Sequence, residues 1–146
     1  MVEACPKGFH TITPYLIITD PAALIAFLKN AFDAVEVHRV KRHDGSIMHA
    51  QVRIGDSMLM MGGATAECPA MPAGIYLYVE NADATYERSL AAGATSLMPP
   101  TDEFWGDRMG GVRDPSGTCW WIATHVEDVP EEELARRAEA AMPVAV

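Results

Sequence analysis

The sequence predicts an α+β fold: two βαβββ modules that form a cupped mixed sheet, with helices on its convex face and one further C-terminal helix. Two observations predict it. Strand patterns surround one helical pattern in each half of the 146-residue chain, and the halves align at a constant offset of 61 residues. We therefore expect one domain over residues 1–146, with module one at 10–62, module two at 74–125 and an acidic tail helix at 130–142.

The first module begins with a strand and a helix. "HTITPYLIITD" alternates from His10 to Thr19, which is typical of a strand with two distinct faces. Asp20 and Pro21 then supply an N-cap and a first helical residue, and apolar residues recur at helical spacing as far as Phe32. Three further strands are predicted from "AVEVHRVK", "IMHAQVRI" and "MLMM", with a tight turn at the Asp-Gly of "HDGS" between the first two.

The second module repeats this order after a connector rich in Gly, Ala and Pro at residues 62–73. "GIYLYVE" predicts a strand, and "NADATYERSLAAG" predicts a helix with Asn81 as N-cap and Gly93 as its stop. "ATSLMPP", a segment ending at Val112-Arg113, and "TCWWIAT" predict the last three strands. The offset matches Asp20 with Asn81, both at helix starts, which supports a true internal repeat.

The tail "VPEEELARRAEAAM" predicts a surface helix, because its acids lie in the first turn and its arginines follow. We expect the i,i+4 ion pairs Glu132–Arg136 and Glu133–Arg137 along it.

Charge and composition exclude several classes of function. The formal net charge of −9 leaves no basic stripe for phosphates, so we expect no nucleic-acid partner. No apolar run reaches membrane-spanning length, and no apolar leader segment is seen at the N-terminus, so we expect no membrane association. The three cysteines lack metal-finger spacing and are too few for a disulfide framework, which indicates a reduced, cytoplasmic protein.

Four segments in order resemble one superfamily: "TPYLIITDPAALIAFLKNAF", "IMHAQVRIGDSMLMM", "FWGDRMGGVRDPSG" and "WWIATHVEDV". Together with the paired βαβββ pattern, they resemble the vicinal oxygen chelate superfamily, which includes glyoxalase I, bleomycin-resistance proteins, fosfomycin-resistance enzymes and extradiol dioxygenases. The closer likeness is to its PhnB-like branch, over roughly residues 10–137. Because this superfamily supports many activities, the resemblance implies the fold and does not specify a reaction.

The resemblance also implies a divalent metal held by His and Glu on the first and last strand of each module. In this chain the corresponding positions are Thr13, Met60, Gly74 and Trp121. The offset of 61 relates Thr13 to Gly74 and Met60 to Trp121, which supports this choice of positions. None of the four side chains is a normal ligand for a divalent cation. The residues directly before and after these positions on the strands are not normal ligands either. We therefore expect no metal and no other cofactor; the alternative is one divalent metal at a non-standard site.

Strand alternation divides the side chains between a cup face and a helix face. The cup face is predicted to carry Thr13, Tyr15, Ile17, Met58, Met60, Gly74, Tyr76, Tyr78, Cys119, Trp121 and Ala123. The helix face is predicted to carry Ile12, Leu16, Ile18, Leu59, Met61, Ile75, Leu77, Val79, Trp120 and Ile122. Aromatic and methionine side chains suit a pocket for an apolar or aromatic molecule. The alternatives are a partner chain or ordinary core packing on that face.

Polar residues at the cup are candidates for specific contacts. His49, on one strand face with Gln51 and Arg53, is either a hydrogen-bonding or general-base residue or a solvated histidine at the rim. Trp105 and Arg108 are expected before the seventh strand, at the rim, where they would stack on a ligand and hold an anionic group. The alternative is an Asp107–Arg108 surface pair with Trp105 plugging the rim.

Two classes of function follow. The first is a protein that binds a small apolar or aromatic molecule in a metal-free cup; the alternative is a glyoxalase-type isomerase, lyase or dioxygenase with an atypical metal site or a metal-free one. The catalytic candidates are His49 and Arg108. The ligand-binding candidates are Thr13, Tyr15, His49, Gln51, Met60, Tyr76, Trp105, Arg108 and Trp121. An apolar cup face would leave a patch that a monomer rarely exposes, so we also expect a homodimer.

Overall fold

The structure, a computed structural model, describes residues 2–142. The predicted domain of residues 1–146 therefore has its outermost positions, Met1 and 143–146, outside the described residues. The elements of module one are β1 (Tyr15–Ile18), α1 (Pro21–Phe32), β2 (Val35–Lys41), β3 (Ile47–Ile54) and β4 (Ser57–Gly63). Those of module two are β5 (Gly74–Tyr78), α2 (Ala82–Ala91), β6 (Thr95–Asp102), β7 (Asp107–Arg113) and β8 (Cys119–His125), and α3 (Glu131–Ala141) follows.

The predicted α+β fold with two βαβββ modules and a C-terminal helix is confirmed. The strands form two four-stranded mixed sheets, in the order β1-β4-β3-β2 and β5-β8-β7-β6. In each sheet the first strand pairs in parallel with the last, and the other pairs are antiparallel. The register repeats as well, because Tyr15 lies opposite Met60 and Tyr76 lies opposite Trp121, each 61 residues further along.

Local sequence explains where the two main helices begin and end. The Asp20 carboxylate accepts a hydrogen bond from the Ala23 amide at 3.1 Å, and the Asn81 side chain accepts one from the Ala84 amide at 3.1 Å. Both satisfy N–H groups that the first turn leaves without a partner. Past the end of α2, Gly93 has φ 113°, a conformation that glycine adopts without a steric cost.

The first strand is shorter than predicted. It begins at Tyr15 rather than at His10, because Pro14 has no amide to donate and only its carbonyl joins the sheet, accepting from the Met60 amide at 3.0 Å. As a result Ile12, which we expected beneath the helices, is 84% exposed, so that assignment is wrong. The other residues assigned to the helix face are buried or partly buried in the core.

One core joins the two modules. Helices α1 and α2 pack against each other, and Trp120 of β8 lies 4.8 Å, centroid to centroid, from Phe32 at the end of α1. The Arg88 guanidinium of α2 bonds both carboxylate oxygens of Asp33, at 2.8 and 3.0 Å. Because the core-facing sides of both sheets meet at this junction, their opposite faces, here called the open faces, remain outside the core.

The tail helix lies outside this core, and none of its residues is buried. The predicted Glu133–Arg137 pair is present at 3.2 Å. Arg136 pairs with Glu133, three residues before it, rather than with Glu132, so the predicted Glu132–Arg136 pair is wrong. Arg137 also bonds Glu127 at 2.7 and 2.9 Å and the Phe104 carbonyl at 3.3 Å, which ties the helix to the loop before β7. None of the helices formed by residues 2–142 has the length and apolar character needed to cross a membrane.

Candidate functional site

The open face of module one carries a short polar row. His49 lies between two partners: its Nδ1 is 3.2 Å from the Tyr15 hydroxyl and its Nε2 is 3.1 Å from the Gln51 side-chain nitrogen. Met60 lies opposite both Tyr15 and Gln51 in the sheet. The structure therefore brings together Tyr15, His49, Gln51 and Met60, four of the predicted ligand-binding residues, on one face.

Glycine at position 62 allows Tyr15 to reach this row. A Cβ atom at Gly62 would lie 2.8 Å from the Tyr15 hydroxyl oxygen, closer than carbon and oxygen approach without a bond. Thr13 lies apart from the row, just before β1, and helps to line a small cavity of about 420 Å³ with Met60 and the N-terminal segment around Cys5 and Phe9.

The open face of module two is organised around Asp107. This carboxylate is only 1% exposed, and its Oδ2 accepts hydrogen bonds from the hydroxyl of Tyr76 at 2.7 Å, the hydroxyl of Tyr78 at 2.9 Å and the indole N–H of Trp105 at 3.1 Å. Its Oδ1 lies 2.9 Å from His125 Nδ1. Four side chains from β5, β8 and the loop before β7 therefore converge on one buried carboxylate.

The hydrogen bonds to Asp107 shift the ionisation of the whole group. Burial acts to raise the pKa of Asp107, but the bonds from Tyr76, His125, Tyr78 and Trp105 outweigh it, and its pKa lies below the ordinary value. Burial and the bond to Asp107 raise the pKa of Tyr76, and the bond to Asp107 raises that of Tyr78. Asp107 is therefore a carboxylate, and both phenols are neutral donors, at neutral pH.

His125 connects this group to solvent. Its Nδ1 bonds Asp107 and its Nε2 lies 2.7 Å from the exposed carboxylate of Asp128. The bond to Asp107, followed by the bond to Asp128, raises the pKa of His125 above its ordinary value. His125 is the last residue of β8, and nothing in the sequence indicated its bond to Asp107.

A constrained loop positions Trp105. Gly106 has φ 99°, and a Cβ atom there would lie 2.1 Å from the Glu127 carbonyl oxygen. The Gly106 carbonyl accepts from the amides of Val126 and Glu127 at 2.8 and 3.0 Å. The indole of Trp105 also donates to the Tyr76 hydroxyl at 3.2 Å. The loop is thereby fixed to the segment after β8, and the indole N–H is fixed on the carboxylate.

Trp121 lies flat on the same open face. Its side chain covers Gly111 of the neighbouring strand, where an added Cβ would be 2.4 Å from the indole ring. Trp120, one residue earlier, points to the core and donates its indole N–H to Asp114 at 2.8 Å. The two adjacent tryptophans therefore serve opposite faces of the sheet, as alternation predicts.

Arg108 does not lie where we predicted it. It belongs to β7 rather than to the rim before it, and alternation turns it away from Asp107. Its guanidinium bonds Asp83 of α2 at 2.8 and 3.1 Å and Asp102 of β6 at 3.2 Å. The alternative, an Asp107–Arg108 surface pair, is wrong for the same reason, because neighbours on a strand point to opposite faces.

A second cleft, larger than the one lined by Thr13 and Met60, lies between the modules. It has a volume of about 960 Å³ and is lined by the end of α1, the β3–β4 turn and β5, including Phe32, Leu59, Leu77 and Trp120. These side chains belong to the core or pack against it. Tyr76 and Tyr78 also line this cleft, but Asp107, Trp105 and His125 do not, and neither do Tyr15, His49 and Gln51, so most of the hydrogen-bonded groups of the open faces lie outside it.

The chemistry of the four positions aligned with metal ligands does not fit a divalent cation. Thr13 offers one hydroxyl, Met60 a soft thioether, Gly74 no side chain and Trp121 only an N–H donor. Among residues 2–142, no group of three or more His, Cys, Asp or Glu side chains is placed to surround an ion. The Trp121 ring at the fourth position lies instead across Gly111.

Comparisons with known proteins agree on one family. The sequence model of the Glyoxalase/Bleomycin resistance protein/Dioxygenase superfamily matches residues 8–122. Uncharacterized protein Rv0887c of Mycobacterium tuberculosis is 37% identical over 134 residues, which cover 84% of this chain and 79% of that protein.

Solved structures agree on the fold. TioX from Micromonospora sp. ML1 has a TM-score of 0.68 and 26% identity, covering 80% of this chain and 99% of TioX. The fosfomycin resistance protein FosX from Mesorhizobium loti has a TM-score of 0.59 and 20% identity, covering 79% of this chain and 91% of FosX.

Proposed function

Because the chain belongs to the Glyoxalase/Bleomycin resistance protein/Dioxygenase superfamily, we propose that it binds a small apolar or aromatic molecule on its open sheet faces without a divalent metal. One observation carries this proposal. The aromatic side chains Tyr76, Tyr78 and Trp105 direct their polar atoms at the single carboxylate of Asp107, and Trp121 lies on the same face.

The hydrogen bonds make these rings suitable for binding. A side chain that is already held in place loses little conformational freedom when a ligand contacts it, so more of the contact energy appears as affinity. Tyr76 is 40% exposed and Tyr78 is 61% exposed, so their rings remain accessible although their hydroxyls are anchored. Aromatic rings of this kind stack on flat apolar molecules. The cup is thus proposed to present a rigid aromatic surface.

We propose a homodimer as the form that completes the cup. In one chain the open faces of the two sheets lie outside the shared core. Tyr15 of module one is 50% exposed, and Tyr78 of module two is 61% exposed. A second copy of the chain would cover these apolar rings and enclose a ligand between two faces. A mass near twice that of one chain, measured by light scattering at micromolar concentration, supports this proposal, and the mass of one chain contradicts it.

Two finer assignments are also proposals. The four segments quoted above support the PhnB-like branch of the superfamily. The cysteines Cys5, Cys68 and Cys119 are all free thiols, which supports a cytoplasmic location.

A second candidate function is proton-transfer catalysis. The observation that favours it is His49, whose two ring nitrogens are held by Tyr15 and Gln51 on the open face of module one. A histidine positioned in this way becomes a general base for a glyoxalase-type isomerase or lyase when a substrate replaces one of the two partners and frees a ring nitrogen. The Arg108 guanidinium, the other catalytic candidate, is held by Asp83 and Asp102 on the opposite side of its sheet, so this mechanism would have to proceed without it.

Binding is tested directly with the neutral fluorescent probe N-phenyl-1-naphthylamine. We expect saturable binding to the wild type and a loss of about 3- to 10-fold in affinity for Trp105→Ala, because an aromatic contact contributes about 0.5–1.5 kcal/mol. Trp105→Phe keeps a ring and should retain most of the affinity. Met71→Ala, an exposed apolar residue on the connector, is the control that should bind like the wild type.

Two results would decide against the binding function. Absence of saturable probe binding together with absence of co-purified small molecules in native mass spectra would refute it. About one Zn, Ni, Mn or Fe per site in protein purified without a His-tag would instead support the enzyme with an atypical metal site.

A further inference from the structure

On the open face of module two, aromatic rings lie beside a carboxylate, Asp107, that forms no ion pair with a lysine or arginine among the described residues. Within residues 2–142, every ion pair that involves Asp107 is made with His125. His125 shares its own charge with a second carboxylate, Asp128. The three groups therefore carry net negative charge whether or not His125 is protonated.

The basic residues nearest along the chain do not pair with Asp107. Arg113 shares the open face with Asp107, but it lies at the opposite end of β7, with its guanidinium 3.9 Å from Cys119 Sγ, whereas Asp107 lies opposite His125. Arg108 points to the opposite side of the sheet and is held by Asp83 and Asp102. Arg137 is held by Glu127 and Glu133. The formal net charge of the whole chain is −9, so its long-range field has the same sign as the local one.

The hydrogen bonds to Asp107 also change the rings. A phenol that donates to a carboxylate is polarised, and electron density moves toward its ring, which strengthens the negative potential over the ring face. Tyr76 and Tyr78 both donate to Asp107, and their ring centroids lie 5.2 Å apart at an angle of 54°. Two tilted, electron-rich faces beside an indole form a surface that attracts a cation.

We propose that the module-two face selects a flat aromatic ligand that carries a permanent positive charge, such as a quaternised nitrogen heterocycle. This inference rests on the proposed binding function and adds the charge of the ligand to it. The rings of Tyr76, Tyr78 and Trp105 contact the cation, and Asp107 supplies the negative charge beneath them without touching it, because the carboxylate is buried. A neutral aromatic molecule of the same shape gains the stacking but not the charge attraction.

The test compares two probes of nearly identical shape: the N-methylquinolinium cation and neutral 1-methylnaphthalene. Dissociation constants are read from the indole N–H signals in ¹⁵N NMR titrations, with Trp105→Phe used to assign the Trp105 signal. We expect the cation to bind about 2- to 30-fold more tightly than the neutral probe, the range that cation–π contacts give. Raising the salt concentration should narrow this difference.

Three variants locate the effect. Asp107→Asn keeps an oxygen to accept from Tyr76, Tyr78 and Trp105 but removes the charge, so the preference for the cation should fall to near unity while affinity for 1-methylnaphthalene stays within about twofold. Tyr78→Leu removes an exposed ring and should also reduce the preference, which keeps the test valid if Asp107→Asn fails to fold. Glu87→Gln removes one negative charge from the exposed surface of α2 and should change neither constant.

The outcomes separate the two proposals. Equal or tighter binding of 1-methylnaphthalene by the wild type overturns the preference for a cation and leaves the proposed binding function intact. Failure of both probes to bind overturns both. An equal loss of preference in Glu87→Gln and Asp107→Asn would show that the net charge of the chain, rather than this face, attracts the cation, and would also overturn the inference.

Discussion

Trp120 and Trp121 allow a sharp test of which sheet face is core and which is open. They are adjacent in β8, but Trp120 is 1% exposed and packs on Phe32, whereas Trp121 is only partly buried on the open face. Replacing each with alanine removes the same atoms from opposite faces of one strand. Any difference between the two variants therefore reports the environment rather than the chemistry of the change.

The expected magnitudes differ by several kcal/mol. Trp120→Ala should cost about 3–5 kcal/mol, the range for removing a large aromatic side chain from a core. Part of that cost comes from Asp114, whose Oδ2 loses the indole donor at 2.8 Å inside the protein. Trp121→Ala should cost about 1–1.5 kcal/mol, because roughly half of the burial energy of such a side chain is lost. Total stability of a domain is only about 5–15 kcal/mol, so the first change is severe.

Thermal and urea unfolding followed by circular dichroism measure both costs. For a domain of this size, about 2–4 °C is lost per kcal/mol, so Trp120→Ala should melt about 6–20 °C below the wild type and Trp121→Ala only a few degrees below it. Trp120→Phe should fall between them, because it keeps a ring against Phe32 but leaves Asp114 without its donor. A larger loss for Trp121→Ala than for Trp120→Ala would mean that the two faces are reversed, and the open-face residues named above would then be wrong.

Three further predictions concern the network and its supports. Asp107 and Asp128 raise the pKa of His125, so protonated His125 stabilises the folded protein fully below the unfolded pKa of about 6.5, and this stabilisation is lost as pH rises through the folded pKa. The difference in melting temperature between the wild type and His125→Gln should therefore become smaller from pH 5.5 to 8.5. A difference that stays constant over this range would contradict a role for the charge of His125. Gly106→Ala should lower the free energy of unfolding by more than the roughly 1–2 kcal/mol that a left-handed conformation costs, because the added Cβ also meets the Glu127 carbonyl oxygen. At Gly45, with φ 88°, an added Cβ has no atom nearby, so Gly45→Ala should cost only that amount. Chemical unfolding of both variants measures the difference. Arg137→Ala should increase amide hydrogen exchange throughout α3, since this guanidinium ties the helix to Glu127 and Phe104; unchanged protection would show that other contacts hold the helix.

Local rules were sufficient for most of the fold. The caps at Asp20 and Asn81 depend on contacts within one helical turn, and the face of Trp120 or Trp121 depends only on alternation, so each can be read from neighbouring residues. The offset of 61 indicated that module two repeats module one, and the two parallel strand pairs do share one register. The first strand was overestimated because alternation alone does not reveal that the chain before Tyr15 leaves the sheet.

The candidate site required the tertiary structure. The sequence predicted Tyr15 and Met60 on the cup face and His49 with Gln51 on one face of the third strand. It did not show that these residues meet or that His49 is held on both sides.

Tyr76 and Trp105 were predicted ligand-binding residues, but their convergence on Asp107 was missed. The donors come from β5, β8 and a loop, and their meeting point depends on strand order and sheet twist. One signal was available: once β7 begins at Asp107, alternation places this residue on the open face and Arg108 on the other. Sequence spacing determines which side of a sheet a residue occupies, whereas only the packing of distant strands determines which polar atoms converge there.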